Sequence, residues 1–403
     1  MNNNTKLLLG LLRDYIQQVS SEETIRKHTG EIEWEQILKL AQVNNVLPFV
    51  YSQVKSFGGQ FGIDLRHIVY LKNVVIYRSS DQMRMNMCLN EILNAFDSKQ
   101  IEYYVLKGII LADLYPHPEY RYSSDIDIHI DESQLDGAMK AFESIGYRYE
   151  RDYDSDKDYK FFTPDNHMVE LHTQLFTQFY EKHKMVFDNI NLKSENFATT
   201  QDILGREVRT LKPNEFLIYL FCHITKHFIA SGINIRHLMD ISIYINKHRE
   251  ELDFYYITNI LEQLKIKNCV LSFIHICITY LGMNKVTGNI PMTDETIIEV
   301  LIYDIAEKRA NNDPTKSFSE NNYDKMYGKL RYYKYKKSSL LNVIFPKVSL
   351  LKKNYAYVNR HWIFIPIAWL HRLFHHLFGI FRSSEIEDTI NRTNLLTQLD
   401  LLK

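Results

Sequence analysis

Two aspartates stand two residues apart in "YRYSSDIDIHI", residues 120–130, a stretch otherwise rich in β-branched residues. Side chains alternate along a strand, so Asp125 and Asp127 point to one face and the isoleucines point to the other. Adjacent carboxylates repel each other, and a buried carboxylate is costly without a partner. A divalent cation between the two side chains would satisfy both, so this spacing predicts a metal site.

A phosphate-binding turn is predicted upstream of this strand. Lys107 and Gly108 lie between a predicted strand, "EYYVL", and a predicted helix. A glycine there lets the backbone approach a phosphate, the helix start offers free N–H groups, and the lysine adds positive charge. Arg121 is placed to grip two phosphate oxygens. Glu170 in "MVELH" adds a third carboxylate, and this set suits phosphoryl or nucleotidyl transfer with two Mg²⁺ ions.

The elements that carry these residues follow a clear order. The first hundred residues have helical periodicity, including one long helix over 63–98. From residue 101 the pattern changes to strand, helix, strand, helix and further strands, with "YKFFT" and "MVELH" joined across the tight turn "PDN". After residue 212 the pattern is helical again to about residue 310. The order predicts a small unit of strands and helices between two helical regions.

Composition limits the class of protein. The chain has 403 residues, of which 45% are hydrophobic, enough for two or three domains with proper cores. A formal net charge of −1 argues against a general polyanion binder. Four cysteines without CxxC spacing suit a reducing compartment, and the N-terminal segment is too polar for a secretory signal. We therefore expect a cytoplasmic protein.

The C-terminal part differs in charge. Residues 311–323 are polar and predicted to form a linker or exposed loop, whereas residues 324–382 carry twelve basic residues and one acid. The aromatic segment 362–381 is interrupted by a proline, an arginine and several histidines, so no transmembrane span is expected. Two interpretations stay open: peripheral contact with a membrane or an anionic acceptor, and a helix packed on the core with a solvated basic face.

The succession "LKG", "RYSSDIDIHI" and "VELH" resembles the nucleotidyltransferase (polymerase-β-like) superfamily, and more narrowly the bacterial uncharacterised nucleotidyltransferases. Asp125 and Asp127 match the paired metal ligands of the superfamily, and Glu170 matches its third acid. "HITKHFIASGINIRHLMDI" and "IFPKVSLLKKNYAYVNRHWIFIPIAWLHR" resemble the helical motif and the tail of the narrower group.

The resemblance implies an α+β fold, in which a nucleotidyltransferase-fold mixed β-sheet domain is flanked by N-terminal and C-terminal helical regions. The expected boundaries are a helical region at 1–99, the nucleotidyltransferase domain at 100–212, a helical domain at 213–310, and a basic, aromatic-rich helical region at 324–403.

The implied activity is transfer of a nucleoside monophosphate from a nucleoside triphosphate, with ATP as the expected donor, to a hydroxyl group with release of pyrophosphate. Two Mg²⁺ ions are expected, and the acceptor (a small molecule, a sugar or a protein) stays open. The expected catalytic and metal-binding residues are Asp125, Asp127 and Glu170; the nucleotide contacts are Lys107, Gly108, Arg121 and Ser124; and the candidate substrate contacts are His223, His227, Arg236 and Asp240.

The turn departs from the wider superfamily pattern. The usual Gly-Ser or Gly-Gly pair is replaced by Lys107-Gly108-Ile109, and "YPHPEYRY" lengthens the connection to the acidic strand. Lys107 is therefore expected to replace the missing hydroxyl as a phosphate contact, and the identity of the donor becomes less defined.

Several residues have alternative interpretations. His223 and His227 lie one helical turn apart, and with Asp240 they form either substrate contacts, a structural network, or the centre of a metal-dependent phosphohydrolase. A catalytically silent nucleotide-binding scaffold is a further alternative. His129 and His172 share strand faces with the acids, and a structural hydrogen bond is the expected role for each.

A stability expectation follows from the repulsion between the two aspartates. Asp127→Asn is expected to leave the melting temperature unchanged or to raise it, because one member of a like-charge pair is neutralised. Nucleotidyl transfer is expected to fall by at least ~10²-fold, the scale lost with one strong electrostatic stabiliser.

Overall fold

A computed structural model describes most of the chain. The described residues are 1–150, 158–176, 198–203, 205–230, 232–286 and 293–308, with short pieces elsewhere up to residue 401. Contacts divide the chain into two compact units, one formed by Met1–Thr225 and Ile233–Asn311 and the other by Lys226–Gly232 and Asn312–Lys403. All the site residues discussed below except His227 belong to the first unit.

Five helices form the N-terminal part of the first unit. They are α1 (Asn3–Ile16), α2 (Glu22–Arg26), α3 (Trp34–Val43), α4 (Leu47–Val54) and α5 (Leu65–Ser98). The Asp64 side chain caps α5 by accepting a hydrogen bond from the backbone N–H of Arg66. The long helix predicted over residues 63–98 is confirmed.

A five-stranded mixed sheet follows. Its elements in chain order are β1 (Tyr103–Leu106), α6 (Gly108–Ala112), β2 (Asp125–Ile130), α7 (Leu135–Ser144), β3 (Arg148–Glu150), β4 (Asp158–Phe162) and β5 (Met168–His172). The spatial order is β1-β2-β5-β4-β3, in which β2 and β5 run parallel and the other neighbours run antiparallel. The predicted α+β class with a mixed sheet is confirmed.

The apolar face of β2 fixes this strand in the core. Ile128 and Ile130 are fully buried, and the alternation of the strand turns Asp125 and Asp127 to the opposite face. Elsewhere in the core the ring of Phe142 in α7 packs against Phe161 of β4 at a centroid distance of 3.9 Å. Because a one-residue slip would turn the aspartates into the apolar core and the isoleucines onto the charged face, this pattern sets the register of β2.

A separate hairpin lies beyond the sheet, formed by β6 (Ala198–Ile203) and β7 (Arg206–Leu211). Gly205 has a φ of +78° and closes its turn. Arg206 ties the hairpin to α5 through Asn94 at 2.7 Å. This hairpin is not among the predicted elements, since the polar strand "ATTQDI" lacks apolar alternation.

The helical region after the hairpin is confirmed. It consists of α8 (Pro213–Ala230), α9 (Ile235–Lys247), α10 (Phe254–Gln263), α11 (Lys267–Tyr280) and α12 (Glu295–Ile302), followed by a π-helical turn at Tyr303–Glu307. A reciprocal cap between Asn234 and His237 begins α9. This cap fixes the start of the helix that carries Arg236 and Asp240.

In the second unit, Leu351, Val358 and Ala368 form a small buried cluster. The predicted linker at 311–323 and most of the basic segment 324–382 lie outside the described residues. Among the helices that the structure describes, none has the length and apolarity needed to cross a bilayer.

Candidate active site

Asp127 is the centre of a buried charge cluster. Its Oδ1 lies 2.6 Å from Lys107 Nζ and 3.0 Å from His172 Nε2, and its side chain is 2% exposed. Burial alone would raise the pKa of Asp127, but Lys107 and His172 outweigh it and hold this pKa well below its ordinary value. Asp127 is therefore ionised and already paired with two cationic groups.

His172 lies between two carboxylates. Its Nδ1 is 2.8 Å from Asp158 Oδ1, and its Nε2 faces Asp127. Asp158 stands directly opposite His172 in the antiparallel β4–β5 pair, so the sheet register creates the contact. Burial opposes protonation, but the two carboxylates raise the pKa of His172 to about 9. Both ring nitrogens therefore donate at neutral pH.

Glu170 completes the acidic cluster. It is paired with Asp127 in the parallel β2–β5 ladder, and its Oε2 lies 3.8 Å from His172 Nε2. One ligand atom each from Asp127, Glu170 and His172 lies within 4.8 Å of the others. An octahedral Mg²⁺ with bonds of about 2.1 Å needs neighbouring ligand atoms about 3 Å apart and opposite ones about 4.2 Å apart. These residues therefore fit a divalent cation.

Asp125 has a different environment on the same strand face. It is partly exposed, and Ser124 at the exposed edge donates to its Oδ1 at 3.4 Å. Burial, followed by the negative charge of Asp127, raises the pKa of Asp125 to about 6, while Lys107 opposes this rise. The two aspartates thus share a strand face, but the pKa of Asp125 is raised whereas the pKa of Asp127 is lowered.

The backbone turn at Lys107 aims its ammonium group at Asp127. Lys107 has a φ of +43°, which is strained for a residue with a side chain, and Gly108 begins α6 directly after it. A Cβ on Gly108 would lie 2.8 Å from Ser123 Oγ, so only glycine fits without a shift. Strain of this kind, of order 1–3 kcal/mol, persists where surrounding contacts maintain it.

Lys107 also reaches the helical region. Its Nζ donates to His223 Nδ1 in α8 at 3.3 Å and lies 5.9 Å from the ring centre of Tyr219. Burial would lower the pKa of Lys107, but the charge of Asp127 outweighs it and keeps this pKa above its ordinary value. The lysine is therefore cationic and links the sheet to α8.

A second charge cluster lies around Asp240 of α9. Arg121 grips it through Nε at 3.1 Å and Nη2 at 2.9 Å, and Tyr115 donates to the same carboxylate at 2.7 Å. Arg121 Nη1 also donates to Ser123 Oγ. In this structure the guanidinium expected to grip phosphate braces the segment before β2 against α9, and the phosphate contact expected for Arg121 stays a prediction.

Arg236 shares the same carboxylate. Its Nη1 lies 3.4 Å from Asp240 Oδ2, and its side chain is 16% exposed. Burial and the neighbouring Arg121 lower the pKa of Arg236. Burial would raise the pKa of Asp240, but the two arginines outweigh it and keep this pKa below its ordinary value. Two guanidinium groups around one carboxylate leave a local excess of positive charge.

Comparison with protein families identifies the family of this chain. The sequence profile of the family described as "Uncharacterised nucleotidyltransferase" matches residues 30–282, more than half of the chain. This chain belongs to that family. The match includes the whole charge cluster around Asp127 and the cluster around Asp240, so both lie inside the nucleotidyltransferase portion of the molecule.

Several solved structures are similar to this nucleotidyltransferase. The antibiotic-resistance factor ANT(2'')-Ia is 12% identical, covers 48% of this chain and 97% of its own, and gives a TM-score of 0.34. The lincosamide antibiotic adenylyltransferase LnuA is 15% identical, with coverages of 39% and 93% and a TM-score of 0.27. An antigenic nucleotidyltransferase-like protein from Paracoccidioides brasiliensis is 18% identical, with coverages of 48% and 91% and a TM-score of 0.29. Comparison with curated protein sequences gives no match.

The structure brings most of the candidate residues of this nucleotidyltransferase together. Those around Asp127 are Lys107, Gly108, Asp125, Glu170 and His223, and those around Asp240 are Arg121 and Arg236. His227 belongs to the second unit. His129 makes the structural hydrogen bond expected of it, since its Nδ1 lies 2.9 Å from the carbonyl oxygen of His172, to which it donates.

Asp158 is the residue that the sequence analysis missed. The hydrogen bond expected for His172 is present, but both of its ring nitrogens, and not one alone, face carboxylates. The sequence signal for the contact between Asp158 and His172 was the predicted turn "PDN", from which the two flanking strands pair outward. Counting outward from the closing pair Phe162–Met168 places Asp158 opposite His172.

Proposed function

We propose that this protein transfers a nucleoside monophosphate from a nucleoside triphosphate, with ATP as the first candidate, to a hydroxyl group of a small molecule, a sugar or a protein. The observation that carries the proposal is the pairing of Asp127 with Glu170 on adjacent parallel strands, next to the turn at Lys107 and Gly108. Carboxylates beside a cationic turn provide both requirements of the reaction, which are a place for divalent ions and a partner for phosphate charge.

In this proposal the acidic residues bind the metal ions and accept the proton of the acceptor hydroxyl. Asp125 and Asp127 share one strand face, and Glu170 lies beside Asp127, so these oxygens are the ligands offered to two Mg²⁺ ions. Bound Mg²⁺ would polarise the phosphate and offset its charge. Glu170 is 21% exposed, which leaves its carboxylate accessible to an acceptor hydroxyl and its proton.

The basic residues bind and orient the triphosphate. We infer that Lys107 leaves Asp127 for the β- and γ-phosphates when nucleotide binds, since its flexible ammonium exchanges one anionic partner for another. Arg236 adds positive charge from α9 for the phosphates, while Arg121 holds α9 in place through its ion pair with Asp240. The acceptor oxygen forms a bond to the α-phosphorus, the bond to the β-phosphate oxygen breaks, and pyrophosphate leaves with the charge that these cations offset.

The phosphohydrolase alternative has little support. It requires Asp240 as a metal ligand beside His223, but both oxygens of Asp240 are held by Arg121 and one also accepts from Tyr115. His223 is in contact with Lys107 instead.

Product analysis tests the proposal without a known acceptor, because water can replace the hydroxyl slowly. The full-length chain is incubated with Mg²⁺ or Mn²⁺ and ATP labelled at the α-phosphate, and AMP, ADP, phosphate and pyrophosphate are separated. We expect AMP and pyrophosphate, formed at least ~10²-fold more slowly by Asp125→Asn and at an unchanged rate by the surface variant Asp136→Asn. ADP and phosphate would overturn the proposal, and ATP binding without either product would favour the catalytically silent scaffold.

A further inference from the structure

His172 is held as metal-binding histidines are held. A histidine that binds a metal through one ring nitrogen commonly donates from the other to a carboxylate, which fixes its tautomer and orientation. Here Asp158 Oδ1 accepts a hydrogen bond from His172 Nδ1 at 2.8 Å, and Nε2 on the other side of the ring faces Asp127 and Glu170. His172 is 10% exposed and Asp158 is 14% exposed, so the arrangement is largely shielded from water.

The distances around Nε2 suit one ion. Nε2 lies 3.0 Å from Asp127 Oδ1 and 3.8 Å from Glu170 Oε2. Neighbouring ligand atoms of a six-coordinate ion are separated by about 3 Å, so small side-chain adjustments would place all three on one cation. The three residues come from β2 and from two positions of β5 that point to the same face, so the sheet itself provides this geometry.

We propose that His172 Nε2 is a metal ligand together with Asp127 and Glu170, so that one of the two ion sites of the proposed function is a mixed nitrogen and oxygen site that prefers Mn²⁺ or a later transition metal to the expected Mg²⁺. Imidazole nitrogen favours transition metals, whereas Mg²⁺ prefers oxygen ligands alone. The ion would take the position of the proton that now lies between Nε2 and Asp127, and that proton would be released to solvent. Asp158 is a positioning residue in this arrangement.

Lys107 is the competitor for this position. Its ammonium lies 2.6 Å from the oxygen of Asp127 that also faces Nε2. An ion held by three ligands carries twice the charge of the ammonium, and the lysine has His223 as a second partner within reach. The inference therefore requires displacement of Lys107 from Asp127 and no rearrangement of the sheet.

Metal binding without nucleotide tests the inference. The full-length chain is stripped with EDTA, and Mn²⁺ and Mg²⁺ affinities are measured by calorimetry for the wild type and for His172→Asn. Asparagine retains a donor for Asp158 but has no atom at the Nε2 position. We expect Mn²⁺ affinity to fall by at least ~10-fold and Mg²⁺ affinity by less than about threefold, since the lost ligand is a nitrogen.

The matched control is His129→Asn, which removes a histidine from the neighbouring strand and is expected to change neither affinity more than about twofold. The direct readout is electron spin echo modulation of bound Mn²⁺, which should show coupling to ¹⁴N in the wild type and in the control. That coupling should disappear in His172→Asn and should change to the ¹⁵N pattern when wild-type histidines are labelled. The labelled wild type shows whether the coupled nitrogen belongs to a histidine even if the variant does not fold.

Three results would overturn the inference: no Mn²⁺ binding by the wild type, no nitrogen coupling in it, or equal Mn²⁺ affinity in His172→Asn. Because ATP is absent from these measurements, their outcome is independent of the transfer assay. A nitrogen-coupled Mn²⁺ site with no transfer would retain this inference and reject the proposed function.

Discussion

Asp125 and Asp127 share one face of β2, yet we expect the same substitution to have opposite effects on stability at the two positions. Asp127 pairs with Lys107 and His172, and the Lys107 and Asp127 side chains are 8% and 2% exposed. Removing one partner of a buried ion pair leaves the other uncompensated and costs about 3–5 kcal/mol. At about 2 °C per kcal/mol for a chain of this size, Asp127→Asn should lower the melting temperature by roughly 6–10 °C.

Asp125 should behave in the opposite way. Burial and the charge of Asp127 raise the pKa of Asp125 to about 6 in the folded protein, so folding disfavours the ionised form by up to about 3 kcal/mol at neutral pH. Because the folded-state pKa is raised, stability is lost as the pH rises towards this pKa. Asp125→Asn removes that loss and should raise the melting temperature, more at pH 8 than at pH 5.

Thermal unfolding followed by circular dichroism in EDTA measures both effects without divalent ions. Asp136→Asn, an exposed change of the same type on α7, should alter the free energy of unfolding by less than about 0.5 kcal/mol. The sequence-based expectation that Asp127→Asn leaves stability unchanged or raised assumed an unpaired repulsion, and Lys107 and His172 remove that premise. An Asp127→Asn protein as stable as the wild type would refute the reasoning from the structure.

Three further substitutions test the surrounding contacts. Lys107→Met should tighten Mn²⁺ binding several-fold by calorimetry while slowing AMP release, since it removes a cation that competes for Asp127 and also a phosphate contact. Gly108→Ala should lower the melting temperature and the transfer rate, because the new Cβ would meet Ser123 Oγ at 2.8 Å. Adding Ser123→Ala removes that oxygen and should partly restore both. Asp240→Asn should cost about 3–5 kcal/mol in denaturant unfolding, because it leaves the buried Arg121 and the partly exposed Arg236 without their carboxylate.

The acidic strand and its third acid could be predicted because local pattern determines them. The alternation of "SDIDIHI" sets which residues face the core, and "MVELH" has the same period, so Glu170 and His172 share one face of their strand. Glu170 was expected as the third acid because it matches the superfamily pattern. The domain boundaries at residues 99, 212 and 310 and the roles of the site residues stay predictions.

The partners of the charged residues could not be predicted in the same way. Arg121 and Asp240 are 119 positions apart, and nothing local in either segment indicates that α9 lies against the chain before β2. A positive φ at Lys107 decides that its ammonium meets Asp127, and a lysine gives no sequence signal for that conformation. The hairpin β6–β7 is polar, so its pairing depends on neighbours such as α5 and not on its own pattern.

The unequal states of the two aspartates explain how one strand can carry both. Without a bound metal ion, the ammonium of Lys107 forms an ion pair with Asp127, while the pKa of Asp125 is raised to about 6. On the proposed function, Asp125 and Asp127 would hold a divalent cation, and Lys107 would exchange its contact with Asp127 for one with the triphosphate. Metal and nucleotide binding would then be coupled through this one lysine, and linkage requires each to strengthen the other by the same factor. The two aspartates, whose spacing in the sequence suggests repulsion, would thus be the place where metal binding and nucleotide binding depend on each other.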